Sequence, residues 1–495
     1  MTGLTATILL TTLVGLAIYI IIAQKQKNDK IEKFFLAGRN IGSNLFGHTT
    51  WATSNGSANG IWYAIWLGYT IGLAGIWLQA FWIIGIILYS YLIPKIVPHS
   101  DKYTLHGFLG ANFGTGARLI ASFVSLTGLF VCIGFEISYV SGFYTQVLGV
   151  NKEAIVPIIF AFSLFISVFC TIGGFSANAK TDKISNILAT TSLLILFVLL
   201  LSHVTTHHIQ IKHLTYMPLM NNPTSFYWGV VFFGLYQLID MTNWQTVSAN
   251  SLHVDDKSVK NMQRVIRKAA LEISVFPIVL GTVSGFILKN IVENVSQNSI
   301  LSAISVNYMP ASEVVSLVLL SFVSFSFFAA SLSATDSWLL ASSQTLSWDL
   351  TDYRLFSKHA FNVKRLSDEE HQTVLRKARM LLILIGVAVT GFIYWVSVRW
   401  DQVFALQFVM FGAGLSMIPA LLYGLFLCKN ESDGQRIKAF AFMSITAGFL
   451  TAIGIFIWSI YINDPNIVNC IPYVTLGISS SIIIFGLLIN RMFNR

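Results

Sequence analysis

Residues 52–60 read Ala52-Thr53-Ser54-Asn55-Gly56-Ser57-Ala58-Asn59-Gly60, and this polar stretch interrupts a long apolar segment. Phe46 lies before it, and Ile61-Trp62-Tyr63 follow it. The core of a bilayer holds no water to bond a broken helix, so such a break persists only where protein or a bound ligand satisfies the freed backbone groups. We therefore predict a discontinuous transmembrane helix here, with a binding site at its break.

The composition is that of a membrane protein. Of the 495 residues, 55% are hydrophobic and 11% are charged, whereas a soluble domain carries about 25% charged residues. The mean hydropathy is +0.68. A spanning helix needs roughly 20 apolar residues to cross a hydrocarbon core of about 30 Å. The sequence therefore predicts an all-α integral membrane protein with about thirteen transmembrane helices, near residues 2–23, 43–68, 71–94, 118–148, 154–173, 183–203, 225–250, 269–291, 313–347, 377–398, 402–427, 438–462 and 468–490.

Lysine and arginine collect on one side of these predicted spans. All 31 of them lie in loops of that side except Lys152, Lys212, Lys289 and Arg399. Because basic loops resist translocation, we assign that side to the cytoplasm, with the N-terminus outside and the C-terminus inside. The expected location is the plasma membrane, which is the inner membrane if the cell is bacterial. The net charge of +9 thus reflects topology, and no basic cluster interleaved with aromatics predicts a nucleic-acid partner.

A second polar interruption lies five predicted spans after the first. It reads Tyr236-Gln237-Leu238-Ile239-Asp240-Met241-Thr242-Asn243-Trp244-Gln245. An odd number of spans between two breaks places them in units of opposite membrane orientation. That arrangement is typical of inverted-repeat transporters, whose site lies near the midplane between two discontinuous helices.

Four short motifs follow one another along the chain. They are Lys33-Phe34-Phe35-Leu36-Ala37-Gly38-Arg39; Tyr103-Thr104-Leu105 with Phe113-Gly114 and Arg118; Gly173-Gly174 with Thr181-Asp182; and Ala329-Ala330-Ser331-Leu332-Ser333-Ala334-Thr335-Asp336-Ser337 with Leu339-Leu340 and Ser342-Ser343. In this order they resemble the signature of the sodium/solute symporter family. The resemblance extends from about Lys33 to Gly424, which is most of the chain.

The resemblance implies a leucine-transporter-like fold of five plus five helices in an inverted repeat, with one extra helix before and two after. On this reading, residues 1–40 form the first helix and a cytoplasmic loop. Residues 41–203 and 204–427 form the two repeats, and residues 428–495 form the last two helices. The resemblance also implies alternating access coupled to sodium, without a further cofactor. We expect a monomer whose partners are the solute, the coupling ion and membrane lipid.

The resemblance further implies a sodium site between the first broken helix and the serine-rich later span. The matching positions are Ala52 and Asn55, which offer backbone carbonyls, Ala330, which offers a carbonyl, and Ser333, which offers a hydroxyl. A hard cation prefers such oxygen ligands, and unwound backbone presents carbonyls that a regular helix keeps to itself.

Ala334 departs from the family pattern, because the family usually places a second hydroxyl there. The next residue, Thr335, would point about 100° further round the helix. Some relatives carry a further cation site, which Asp182, Asp336 and Ser337 match. Coupling through either site, by sodium or by a proton, is therefore open at this stage.

Carboxylates within predicted spans are the other informative residues. Placing an aspartate at the centre of a membrane helix costs on the order of 3 kcal/mol, so Glu136, Asp240 and Asp336 either serve function or pair with a neighbouring polar group. No Lys or Arg within the spans is available to them. An imported cation, a proton or a cationic solute would balance their charge.

Polar and aromatic residues near the two breaks are the candidates for binding a solute. Amides and hydroxyls can bond a solute without fixed charge, and aromatic faces can close over it or attract an ammonium group, although aromatics also serve packing. The candidates are Trp51, Asn55, Ser57, Asn59, Gln79, Glu136, Tyr139, Tyr236, Asp240, Trp244 and Gln245.

We expect a secondary active transporter that imports a small polar organic solute by alternating access, coupled to sodium. An enzyme is not expected, because no nucleophile with its base and no metal cluster stands out. The alternatives are a proton-coupled transporter of a cationic, amine-bearing solute, a passive channel or a membrane sensor. Glu136 and Asp240 favour a solute with an amine or quaternary ammonium group.

Overall fold

The structure, a computed structural model, describes residues 2–26, 29–150, 155–210, 223–251, 255–292, 295, 299–307, 312–350, 367–399, 403–428 and 431–493. These ranges fold into helices and connecting turns, without a strand among them. The helices are α1 (Thr2–Gln24), α2 (Ile31–Leu36), α3 (Gly42–Thr53), α4 (Tyr63–Ile71), α5 (Ala74–Ile96), α6 (Leu105–Phe113), α7 (Thr115–Val147), α8 (Ile155–Thr206), α9 (Pro223–Phe233), α10 (Met241–Ser248), α11 (Asp256–Ile273), α12 (Gly281–Ile291), α13 (Ile300–Asn307), α14 (Glu313–Gln344), α15 (Asp368–Arg399), α16 (Val403–Gly414), α17 (Ile418–Phe426), α18 (Glu431–Arg436), α19 (Lys438–Tyr461) and α20 (Ile471–Phe493).

The all-α membrane class is confirmed. In the described part of the chain, nine helical runs are long and apolar enough to cross a membrane. The broken helices are not among these nine, because each half is short. The count of thirteen stays a prediction, as does the orientation of the termini; two basic exceptions to the charge rule, Lys152 and Lys212, lie outside the described residues.

Helix α8 turns back on itself at Gly174, whose φ of 54° and ψ of −164° are not helical. The ring of Tyr19 lies 6.0 Å from the ring of Phe169, and its hydroxyl lies 2.7 Å from Ser185 Oγ. A straight helix would hold Phe169 and Ser185 about 24 Å apart. The run therefore contains a helical hairpin, and its two arms correspond to the predicted spans 154–173 and 183–203.

The first predicted break is present but shorter than the polar stretch. Helix α3 ends at Thr53, and the chain winds again from Ser57 as a π-helical turn that leads into α4. Asn55 satisfies the end of α3: its backbone N–H donates to Ala52 O (3.1 Å) and its side-chain Nδ2 to Trp51 O (2.9 Å). Carbonyls that lack a helical partner are thus bonded by the break itself.

The second predicted break lies between α9 and α10. A 3₁₀ turn over Gly234–Leu238 follows α9, and the helix resumes at Met241. Asn243 Nδ2 donates to Gln237 O at 3.0 Å, and Trp244 Nε1 donates to Leu238 O at 3.3 Å. Side chains of α10 therefore bond the carbonyls that the break frees.

Glycines hold α4 tightly against α12. A Cβ added at Gly68 would overlap the carbonyl of Thr282, and one added at Gly285 would overlap the carbonyl of Ile65. Small residues allow two membrane helices to approach until their backbones touch. This contact fixes the outgoing half of the first broken helix, which carries part of the site described next.

Candidate functional site

A cavity of about 960 Å³, including the space at its mouth, lies between the two breaks. Asn55 and Asn59 line it from the first break, Tyr236 and Asp240 from the second, and Gln79 from α5. Gln79 is held in place by a bond from its Nε2 to Thr282 Oγ1 at 3.0 Å. The two breaks therefore face one space, as the inverted-repeat pattern predicts.

The remaining six candidates for solute binding are not part of the cavity wall: Trp51, Ser57, Glu136, Tyr139, Trp244 and Gln245. Their contact with a solute stays a prediction. Conversely, the wall contains residues that we did not predict, among them Thr53, Ser54, Tyr63, Trp82, Cys132, Trp338 and Phe411. Helical spacing is the signal that was available, because Tyr63 lies four positions after Asn59 and Trp82 three positions after Gln79.

Glu136 caps the outgoing half of the first broken helix. Its carboxylate accepts bonds from Ser57 Oγ (3.1 Å), Ala58 N (3.1 Å to each oxygen), Asn59 N (2.7 Å) and Asn59 Nδ2 (3.0 Å). The side chain is completely buried. A carboxylate at a helix N-terminus bonds the free N–H groups and meets the positive end of the helix dipole. Gly56 makes this approach possible, because a Cβ there would overlap Glu136 Oε1.

Asp240 is the corresponding cap of the second broken helix. Its Oδ1 accepts from Thr242 N at 2.8 Å and from Thr242 Oγ1 at 2.7 Å. Both bonds end on Oδ1, and the side chain is 7% exposed, in the cavity wall. The outgoing half of each broken helix thus starts at a carboxylate, but only that of Asp240 lines the cavity.

The other candidates have protein partners. The ring of Tyr139 lies 5.1 Å from that of Trp62, and the ring of Trp244 lies 5.7 Å from that of Phe108. Gln245 Nε2 donates to Phe35 O and to Gln344 Oε1, both at 3.1 Å. These three residues therefore join elements around the cavity.

The two aspartates of the predicted second cation site meet behind the first break. Ser333 Oγ donates to Asp182 Oδ1 at 2.5 Å, and Ser337 Oγ to Asp336 Oδ1 at 3.4 Å. Both carboxylates are completely buried, and the Oδ2 atom of each has no hydrogen-bond partner among the described residues. Within the same ranges, no Lys, Arg or His forms an ion pair with either aspartate.

Ser333 belongs to the first predicted ion site, and its hydroxyl bonds Asp182 of the second. Its helix, α14, packs against α3, which carries Ala52, and against the turn that follows Asn55. Ala330 lies on the same helix, one turn before Ser333. Ala334, which departs from the family pattern, is buried. The hydroxyl of its neighbour Thr335 is also buried and has no hydrogen-bond partner among the described residues.

A buried ion pair lies at the end of α14 that we predict to be cytoplasmic. Arg118 Nε lies 3.0 Å from Asp349 Oδ1, and its Nη2 donates to Trp348 O at 3.1 Å. Asp349 also bonds Thr104 Oγ1 (3.1 Å) and His106 Nδ1 (3.1 Å). Thr104 and Arg118, two parts of the second quoted motif, therefore bond the same carboxylate.

The sequence profile of the sodium:solute symporter family matches residues 34–448. The chain belongs to this family. As a sodium:solute symporter family member it is a multi-pass membrane transporter, and the family supports sodium as the coupling ion. A search of curated protein sequences gives no significant match.

Solved structures similar to this sodium:solute symporter family member confirm its leucine-transporter-like fold. The substrate-bound outward-open state of a Na⁺-coupled sialic acid symporter has a TM-score of 0.68 at 16% identity, covering 97% of this chain and 96% of that one. Mhp1, a nucleobase-cation-symport-1 family transporter, closed with bromovinylhydantoin bound, has 0.54 at 10% identity, covering 92% and 94%. MhsT in complex with L-phenylalanine has 0.52 at 11% identity, covering 87% and 98%.

Proposed function

We propose that this protein imports a small polar organic solute by alternating access, using the inward sodium gradient. The solute occupies the cavity between the two breaks, with Asn55, Asn59, Gln79 and Asp240 as its polar contacts. The amides of the first repeat and the carboxylate of Asp240, in the second repeat, bond a polar solute from different sides of the cavity. A solute held in this way is released when the repeats move relative to each other.

The observation that carries the proposal is the buried group of oxygens around Ser333. Asp182 and Asp336 are completely buried, and each has one oxygen free of hydrogen bonds among the described residues. A buried carboxylate without a cation is costly in free energy. Sodium bound by Asp182, Asp336 and Ser337 supplies the missing charge and uses oxygen ligands that a hard cation prefers.

The first sodium site, formed by Ala52, Asn55, Ala330 and Ser333, is the second part of the proposal. Ala52 lies in the last turn of α3 and Asn55 two residues after its end, so an ion there links the break to α14. Because Ser333 Oγ of this site bonds Asp182 of the other, a hydrogen bond joins the two sites. Ion binding at one site would therefore change the geometry of the other. Both sites include residues of α14, which also carries Trp338 of the cavity wall.

Binding of ²²Na⁺ to the purified protein tests this proposal without knowledge of the solute. We expect saturable binding to the unaltered protein and at least tenfold weaker binding in Asp182→Asn and Ser333→Ala. Ser481→Ala is the matched control, because Ser481 is exposed on α20 and bonds only Gly477 O. Unchanged ²²Na⁺ affinity in both site variants would refute this assignment of the ion site.

The same buried carboxylates favour the proton-coupled alternative, since a proton also neutralises a buried aspartate. The two cases differ in what the unaltered protein binds. Saturable ²²Na⁺ binding supports sodium coupling. If the protein binds no ²²Na⁺ and an imposed proton gradient drives solute uptake, the coupling ion is the proton.

A further inference from the structure

The first half-helix already has an anion at its N-terminus. In transporters with broken helices, the positive end of a half-helix faces the anionic group of the solute. Here Glu136 takes that position, and Ser57, Ala58 and Asn59 direct their donors to its two oxygens at 2.7–3.1 Å. A solute carboxylate therefore finds these donors occupied, and it would also meet the negative charge of Glu136.

Glu136 can take this position because its neighbour, residue 56, has no side chain. Gly56 leaves the space that its Oε1 occupies. The side chain is completely buried and does not line the cavity. The carboxylate of Glu136 is thus bonded within the protein, outside the cavity wall.

Asp240 is the only charged side chain among the described residues that line the cavity. Its Oδ1 holds the N-terminus of α10, and its Oδ2 takes part in neither bond to Thr242. A nearly buried carboxylate next to a solute cavity calls for a positive partner. No basic residue of the described chain forms an ion pair with it.

Aromatic rings form much of the rest of the cavity wall. They belong to Tyr63, Trp82, Tyr236, Trp338 and Phe411. The face of an aromatic ring attracts a cation, and such rings around a carboxylate are the chemistry that recognises ammonium groups. Among the described residues, the wall therefore offers one carboxylate and several aromatic rings, and no positive group for an anion.

We infer that the solute carries an amine or quaternary ammonium group that faces Asp240, and that it carries no carboxylate, because Glu136 occupies the anion position of the first half-helix. This inference rests on the proposed function, since it assumes that the cavity holds the transported solute. Glu136 is then a specificity-determining residue that acts by exclusion, and Asp240 acts by attraction.

Matched pairs of solutes test the inference. Choline and glycine betaine share a trimethylammonium group, and ethanolamine and glycine share a primary amine; in each pair the second member has a carboxylate in place of the CH₂OH group. We expect choline, ethanolamine or both to raise the unfolding temperature of the purified protein in sodium buffer. The carboxylate partner should need at least a tenfold higher concentration for the same shift.

Two variants assign the roles. Asp240→Asn should weaken binding of the ammonium solute at least tenfold while ²²Na⁺ still binds, and Thr446→Ala, an exposed hydroxyl variant of α19, should leave both unchanged. Glu136→Gln removes the repelling charge. In this variant, the two members of each pair should reach the same shift in unfolding temperature at more similar concentrations. If Glu136→Gln does not fold, the matched pairs measured on the unaltered protein still decide whether a carboxylate on the solute is excluded.

Three results would overturn the inference: equal or stronger stabilisation by the carboxylate members, no stabilisation by either ammonium member, or loss of ²²Na⁺ binding in Asp240→Asn with the ammonium affinity unchanged. The last result would make Asp240 an ion ligand. The proposed function is judged separately, because ²²Na⁺ binding to the unaltered protein does not depend on which solute fills the cavity.

Discussion

Replacing Asp349 by Asn should destabilise the protein strongly. Asp349 and Arg118 are both completely buried, and the carboxylate accepts bonds from Arg118 Nε, Thr104 Oγ1 and His106 Nδ1 at 3.0–3.1 Å. Removing one partner of a buried ion pair costs about 3–5 kcal/mol, because the other charge stays buried without compensation. Asn keeps the shape of the side chain but replaces one acceptor oxygen by an NH₂ group, so the loss reports on the charge together with one hydrogen bond.

Unfolding of the purified protein in mixed micelles, with increasing dodecyl sulfate and far-UV circular dichroism as the readout, measures this loss. Lys268→Ala is the matched control: Lys268 lies 3.5 Å from Glu272, with the two side chains 75% and 38% exposed. Such surface pairs contribute about 0–1 kcal/mol. A double variant, Arg118→Met with Asp349→Leu, should recover part of the stability, because it removes both buried charges.

A shift of the unfolding midpoint in Asp349→Asn no larger than that in Lys268→Ala would refute the expected destabilisation. A double variant less stable than Asp349→Asn alone would show that the buried charge is not the cause of the loss.

Three further predictions concern two glycine contacts and one hydrogen bond. The stability of each variant is measured in the same unfolding assay. Gly285→Ala forces a methyl group against the carbonyl of Ile65 and should cost about 1–3 kcal/mol. Gly56→Ala should also be destabilising, because the added methyl group displaces the Glu136 carboxylate from the N–H groups that it bonds. Gly454→Ala meets no atom within 4 Å and should gain up to about 1 kcal/mol from helix propensity. A stabilising Gly56→Ala would contradict the close contact described. Gln344→Leu removes an acceptor of Gln245 Nε2 and should cost about 1–3 kcal/mol, and a neutral result would show that this bridge contributes nothing.

Both breaks could be predicted from the sequence because each is a local signal. A run such as Asn55-Gly56-Ser57 inside an apolar segment has no place in lipid unless the helix opens there. The reversal at Gly174 could likewise be predicted from a local signal, since charged residues around Asp182 separate two apolar runs. The short helices α2, α6, α13 and α18 lie between the predicted spans, and apolar length gave no signal for them.

Contacts between distant positions could not be predicted from one sequence. Glu136 was correctly singled out as a buried carboxylate, but the N–H groups that it bonds lie on another helix, more than 70 positions earlier. Arg118 was quoted only as part of a motif, and its partner Asp349 follows more than 200 positions later. A periodic pattern indicates which face of a helix is buried, but not which group it meets.

Transport in proteoliposomes, with sodium and proton gradients imposed separately, shows which ion gradient drives the protein. A uniformly ¹³C-labelled extract of small polar metabolites serves as the external solute mixture, and mass spectrometry identifies what accumulates inside. We predict accumulation of a solute above its external concentration under an inward sodium gradient alone. Accumulation under the proton gradient alone, or flux that only equilibrates and ignores both gradients, would contradict sodium-coupled transport through the site between the two broken helices.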